Sequence, residues 1–262
     1  MDDANPALVS MRYLALALLC LSVPVSAQSA ERTLWLWHGA HDLRGYVPVA
    51  GERVSVAYLS RTLIVETRGV RVIPRRDAIY LDPEMERVAV VHMELGPHVD
   101  VERLRRARRE ILRALTPVFG EEANGVQFDF DAPRSMRGEY TGLLQDIAEA
   151  KPEAWTLSMT ALGSWCTAQG WLSDAPIDFA VPMLFGPGHQ RHETLLALEN
   201  RPLAEPLCRH ALGLREHQPA PAHHSGRFYV FGQGTWDSLR AERALRTLRA
   251  YSLSSSTTTP AR

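Results

Sequence analysis

This 262-residue chain has few cysteines, almost no lysine and no excess of charge: three Cys, Lys151 as the lone lysine, and a formal net charge of -1. Near-neutrality gives no electrostatic footprint for nucleic acid or an anionic surface. Arginine replaces lysine almost throughout, a pattern of coding bias more than of function. No Cys-x-x-Cys or His-Glu-x-x-His pattern occurs, which leaves a zinc site without its usual ligands. No strand runs into a glycine-rich phosphate loop, and neither Ser158 nor Ser164 sits in a Gly-x-Ser-x-Gly turn, so nucleotide binding and serine hydrolysis lack their main markers. The prolines and the weakly preorganised loop around His217, His223 and His224 argue against a metal there. No cofactor is expected.

What is present begins at the N-terminus. Met11-Arg12 precedes an apolar run, Tyr13 to Leu21, and then Ser22-Val23-Pro24 and Val25-Ser26-Ala27. That order of basic, apolar and small residues is the pattern of a secretory signal. Asp2 and Asp3 do not suit the basic segment, which makes Met11 a candidate start. The apolar run is too short to span a bilayer. Residues 1–27 are therefore expected to be removed on export to the periplasm or beyond, leaving 262 − 27 = 235 residues. These form one domain over 31–251 with a Ser/Thr-rich, disordered tail over 252–262. Cys20 leaves with the signal. Cys166 and Cys208 remain in a disulfide-permitting compartment, either bridged or as two buried thiols.

Thr33–His38 reads as a first strand, and the β-branched stretch from Arg53 to Tyr80 as strands and turns, among them Val54–Leu59, Thr62–Val65 and Val70–Ile73. Arg87–Leu95 is a near-continuous apolar strand of the kind buried on both faces. Val101, Leu104, Ala107, Ile111, Leu112 and Leu115 form a helical stripe. Strand and helix then alternate: a strand over Asn124–Asp131, a helix over Arg137–Ala150, strands over Trp155–Ala161 and Ile177–Phe185, and a helix around His192–Glu199. Short strands at Ala211–Leu214 and Arg227–Phe231 and a closing helix over Trp236–Tyr251 complete the order. About eight strands in βα alternation predict an α/β fold, a TIM-like (β/α)8 barrel with an irregular, strand-rich first quarter. A doubly wound open sheet is the alternative.

The strand Asn124–Asp131 carries the chemistry. Val126, Phe128 and Phe130 make an apolar face, whereas Gln127, Asp129 and Asp131 share the other. Unpaired buried carboxylates are costly, so such a face is expected at water or a substrate. Barrel sites lie at the carboxyl ends of strands. By that test Asp131 and Asp129 come first, followed by Glu94, on the face of His92, and Glu216, read as sharing the face of Leu212 and Leu214. Convergent carboxylates raise the pKa of one of them and create a proton donor. The alternative for Glu94 and Glu216 is a rim salt bridge to arginine. Trp165 and Trp236 follow strands at positions where a sugar ring would stack, or else pack the rim, as does Trp171 in the same loop as Trp165. Trp35 and Trp37 read as core.

Asn124 to Asp131 resembles the D-G-x-D-x-D-x-E motif on strand four of chitinase-type glycoside hydrolases. The resemblance implies a barrel in which Asp131 stands for the proton-donating Glu and Asp129 for the Asp that orients an N-acetyl group. Gln127 and Asn124 stand at the inner and outer Asp. Met183-Leu184-Phe185 resembles that family's Met-x-Tyr, with Phe185 lacking the hydroxyl. The stretch Arg53–Trp236 is also similar to a bacterial exported family of unknown function, through Gln127–Ala132, Thr160–Cys166 and Pro182–Phe185. The expectation is a glycan-acting exported protein with Asp131, Asp129, Glu94 and Glu216 as catalytic candidates. Gln127, His92, Trp165, Trp236, Phe185 and Met183 are the candidate binding residues. A non-catalytic glycan-binding or envelope-assembly protein is the second expectation.

Overall fold

A computed structural model of the chain describes residues 30–185, 195, 198, 201–221, 224 and 226–255. The expected signal segment, most of the helix expected over His192–Glu199 and residues 256–262 of the tail lie outside the described residues.

Eight parallel strands close into a barrel: β1 Ala30–Leu36, β2 Glu52–Val65, β3 Glu86–Leu95, β4 Gly125–Asp129, β5 Thr156–Leu162, β6 Phe179–Met183, β7 Ala211–Arg215 and β8 Arg227–Phe231. Chain neighbours are spatial neighbours, and β1 pairs in parallel with both β8 and β2. That double pairing closes the ring and excludes the open sheet, whose edge strands would lack a second partner. The strand expected over Asn124–Asp131 is the fourth of the barrel.

Both faces of each strand are covered, which explains the near-continuous apolar runs. Inward-facing Trp35, Ala57, Val90, Phe179, Val181 and Tyr229 fill the barrel. Outward-facing Leu34, Val91, Val126, Phe128, Met159 and Leu214 meet the shell. Each fully buried large side chain contributes about 1.5–3 kcal/mol. Helix α1 (Val101–Leu115) starts at Asp100, whose carboxylate accepts from the Arg103 backbone N–H at 2.7 Å, and it buries Leu104, Ala107, Ile111 and Leu115. Helix α2 (Arg137–Ala150) buries Tyr140, Leu143, Leu144 and Ile147. Arg105 with Glu139 (2.7 Å) and Arg108 with Asp146 (2.6 Å) clamp the two helices side by side. The C-terminal helix runs Ser238–Ser255, four residues beyond the expected end, so the first part of the expected tail is helical.

The first quarter is irregular, as the β-branched composition implies. β2 is one strand of 14 residues, where the sequence reads as two. Its register with β3 shifts between Leu59 and Arg61, a bulge that breaks the inside/outside alternation. Beyond it the chain doubles back as an antiparallel strand, Val70–Pro74. Arg75 then donates Nε–H to the Asp77 carbonyl at 2.9 Å and its terminal nitrogens to the carbonyls of Trp37 and Gly39. This hairpin thereby fixes the carboxyl end of β1. Among the described residues no helix is long and apolar enough to cross a membrane.

Candidate active site at the barrel mouth

Alternation along β3, β4 and β5 aims a column of polar side chains into the barrel. In the middle, Trp35 Nε1 donates to Gln127 Oε1 at 2.8 Å, and Gln127 Nε2 donates to Ser158 Oγ at 3.3 Å. Gln127 is fully buried and its amide satisfied. It is a packing group below the mouth and not a substrate contact, because the ring of Trp35 and its neighbours fill the space above it.

One layer higher the column becomes ionisable. The register sets His92 beside Asp129. Asp129 Oδ2 lies 2.7 Å from His92 Nδ1, while Thr160 donates its hydroxyl to Asp129 Oδ1 at 2.6 Å. His92 Nε2 lies 3.2 Å from Glu94 Oε1. Burial opposes charge on His92, but the hydrogen bond and charge of Asp129, followed by those of Glu94, outweigh it and raise its pKa. His92 therefore sits between two carboxylates that favour its protonated form. The edge of Trp37 faces His92 at 5.4 Å between ring centroids.

Asp131 stands just past the end of β4, where the Ala132 N–H bonds back to the Phe130 carbonyl at 2.9 Å and turns the chain. Its side chain keeps surface open to solvent. Even so, the surrounding protein raises its pKa, with the Asp129 charge adding to the rise and His92 opposing it. Asp131 is thus the carboxyl whose surroundings favour the proton, and Asp129 the one whose two oxygens are both hydrogen-bonded. Two carboxylates in different surroundings divide acid and base roles in this way.

The opposite side of the mouth is apolar. Phe185 stacks on Phe231 with centroids 5.0 Å apart and an interplanar angle of 9°, and both rings reach Trp35. Met183 lies beside them, half-buried. Phe185 and Met183 therefore lie at the mouth, and Trp37 and Phe231 join them. The mouth pairs an acidic half on β3–β5 with an aromatic half on β6, β8 and β1, a surface suited to a ligand with hydroxyls on one edge and an apolar face.

Three candidates sit elsewhere. Glu216 does share the face of Leu212 and Leu214, but that face packs against the shell, so alternation carries Glu216 out of the mouth. There Arg240 Nε lies 3.0 Å from both of its oxygens, a rim ion pair. Trp236 is 1% exposed and donates Nε1–H to the Trp35 carbonyl at 2.8 Å, leaving no face for a sugar. Trp165 is 6% exposed, edge-on to Trp171 at 5.0 Å. Cys166 and Cys208 are joined in a disulfide that pins the turn after β5 to the turn before β7. His217 lies after β7 and His224 before β8, at opposite ends of the barrel. Burial, the first cause, pushes His224 down to about 4. Among the described residues no group of three or more His, Cys, Asp or Glu side chains is placed to hold a metal ion.

Trp37, Phe231 and Thr160 were legible by one signal, the inward face at a carboxyl strand end. Reading Trp37 together with Trp35 as core hid it. The chain matches no family model, and no curated protein matches it significantly.

Proposed function

We propose that the protein is an exported, glycoside-hydrolase-like protein that acts on a polysaccharide or cell-envelope glycan by carboxylate acid/base chemistry at this mouth. The carrying observation is the adjacent pair of carboxyls, Asp131 with its pKa raised and Asp129 hydrogen-bonded to His92 and Thr160, at the open carboxyl end of a closed barrel. Asp131 donates a proton to the leaving glycosidic oxygen as its bond to the anomeric carbon breaks, and water adds to that carbon and gives its proton to the Asp131 carboxylate. Asp129 and the His92 imidazolium set the local field, so that Asp131 is protonated before the step and stable as an anion after it. Glu94, exposed and bound among the described residues to His92 alone, tunes that imidazole. The stacked Phe185 and Phe231 rings offer a platform for a pyranose face. The resemblance to chitinase-type hydrolases supports the choice of glycan.

A second reading, a glycan-binding or envelope-assembly protein without hydrolysis, draws support from one observation. Asp129 has both oxygens engaged, by Thr160 and His92, and Phe185 has no hydroxyl for an acetamido group, so cleavage assisted by an N-acetyl group lacks its two orienting groups.

The test is a glycan panel with detection of new reducing ends, on the protein and on Asp131→Asn. Hydrolysis lost by on the order of a hundredfold or more in the variant is the expected result. Turnover that survives the substitution removes the assignment of Asp131. Binding without turnover by either protein selects the second reading.

A further inference from the structure

We propose that Arg137, with Arg134 beside it, forms an anion subsite next to the mouth, so that the glycan taken there bears a carboxylate. This rests on the glycan reading above and names the substrate class. Arg137 is the first residue of α2, the helix that follows Asp131, and the N-terminus of α2 faces the carboxyl end of the barrel. Its guanidinium lies 5.4 Å from the ring centroid of Trp165 and 5.4 Å from that of Trp171. A cation stacked on two indoles is held in place yet keeps its in-plane N–H groups for an oxyanion.

Nothing in the described residues supplies that oxyanion. Some of the arginines elsewhere on the shell meet carboxylates, as Arg105 does Glu139 and Arg240 does Glu216. Among the described residues neither Arg137 nor Arg134 has an acidic partner. Burial, followed by the Arg134 charge, lowers the proton affinity of Arg137.

A second, independent observation marks the same spot. Three buried polar atoms there have no hydrogen-bond partner: Arg137 Nε, Trp171 Nε1 and the Tyr140 hydroxyl. Tyr140 is 0% exposed, and its ring lies 6.1 Å from that of Trp171. Unpaired buried donors are costly and uncommon, and three in one contact cluster call for an acceptor. The cap residue of α2, Met136, also offers no side chain to the first-turn N–H groups, so the positive end of the helix adds to the field. The positive charges of Arg137 and Arg134 would also offset the acidic half of the mouth, which by itself would repel an acidic sugar.

The test follows indole proton–nitrogen correlation peaks, with that of Trp171 assigned by Trp171→Phe. Glucuronate and glucose are titrated at constant ionic strength into the protein, Arg137→Gln and Arg137→Lys. Glucuronate is expected to shift the Trp171 peak to saturation, while glucose does not. Arg137→Gln abolishes the shift. Arg137→Lys, which keeps charge but loses the planar stack, retains it with about tenfold weaker affinity. Peak dispersion in each spectrum reports that the variant is folded. No glucuronate shift, an equal shift with glucose, or a shift that survives Arg137→Gln overturns the inference. A uronate trisaccharide and a neutral chitin trisaccharide separate the two claims. Neutral binding without any glucuronate response removes the anion subsite and leaves the glycan reading. Glucuronate binding at Arg137 with no preference of the protein for either trisaccharide does the reverse.

Discussion

Asp131 and Asp129 are two residues apart on one strand and have opposite surroundings. Asp129 receives hydrogen bonds on both oxygens, from Thr160 and His92, whereas among the described residues Asp131 has no hydrogen-bond partner, and its environment favours the neutral form. The raised pKa has a sign for stability. A carboxyl that holds its proton more tightly folded than unfolded contributes stability below its ordinary value of 3.8, and that contribution is lost as pH rises through the raised value. Above the raised value the ionised Asp131 therefore weakens the fold. Asp131→Asn is expected to leave the protein as stable as before or more stable at pH 7, with the advantage shrinking as pH falls toward 3.8. Thermal denaturation across that window checks it, and an Asn variant less stable at pH 7 than at acid pH, relative to the parent, would contradict it. His92 runs the same way about a higher range: its raised pKa adds stability below 6.5 that fades as the imidazole loses its proton.

β4 is the element that sets both carboxylates, and its position depends on how closely it lies against β5. Gly125 faces Thr156 so tightly that a Cβ would fall 2.9 Å from the Thr156 carbonyl oxygen and nearer still to its hydroxyl. Backbone cannot yield there as a side chain would. Gly125→Ala is expected to push the start of β4 away from β5 and to destabilise the protein by about 1–3 kcal/mol. Urea denaturation measures it. Unchanged stability would mean that the β4–β5 spacing has slack and does not fix the site. The neighbouring elements show what sequence conveyed and what it concealed. Alternation along Val126–Asp131 identified the inward face correctly because β4 is regular. The same rule misplaced Glu216, since in a closed barrel the bulky aliphatic face of β7 belongs to the shell while Ala211 and Gly213 face inward. Across β2 the rule had no single answer, because the bulge at Leu59–Arg61 changes the side to which residues point.

Across the molecule, the alternation of strand and helix was legible from Arg87 onward, where each strand is an apolar run and α1 and α2 have clear stripes. Closure of the ring was not legible. It depends on β1 meeting β8 and β2 at once, contacts between segments nearly two hundred residues apart that leave no local pattern. The fates of Trp236 and Trp165 were hidden for the same reason. Trp236 closes over the carbonyl of Trp35, and Trp165 packs with Trp171 beside a turn held by the disulfide. The closed barrel gathers at one mouth the acidic residues of β3 and β4 and the aromatic residues of β6, β8 and β1.

The central claim, that this mouth holds Asp131 as a proton-bearing acid sustained by Asp129, is tested most directly by a carbon-13 titration of the side-chain carboxyls. The Asp131 resonance is assigned by its loss in Asp131→Asn. The account predicts a midpoint above 3.8 for Asp131, moving down toward that value in Asp129→Asn as the neighbouring charge is removed. A midpoint at or below 3.8, or one indifferent to Asp129→Asn, would contradict it.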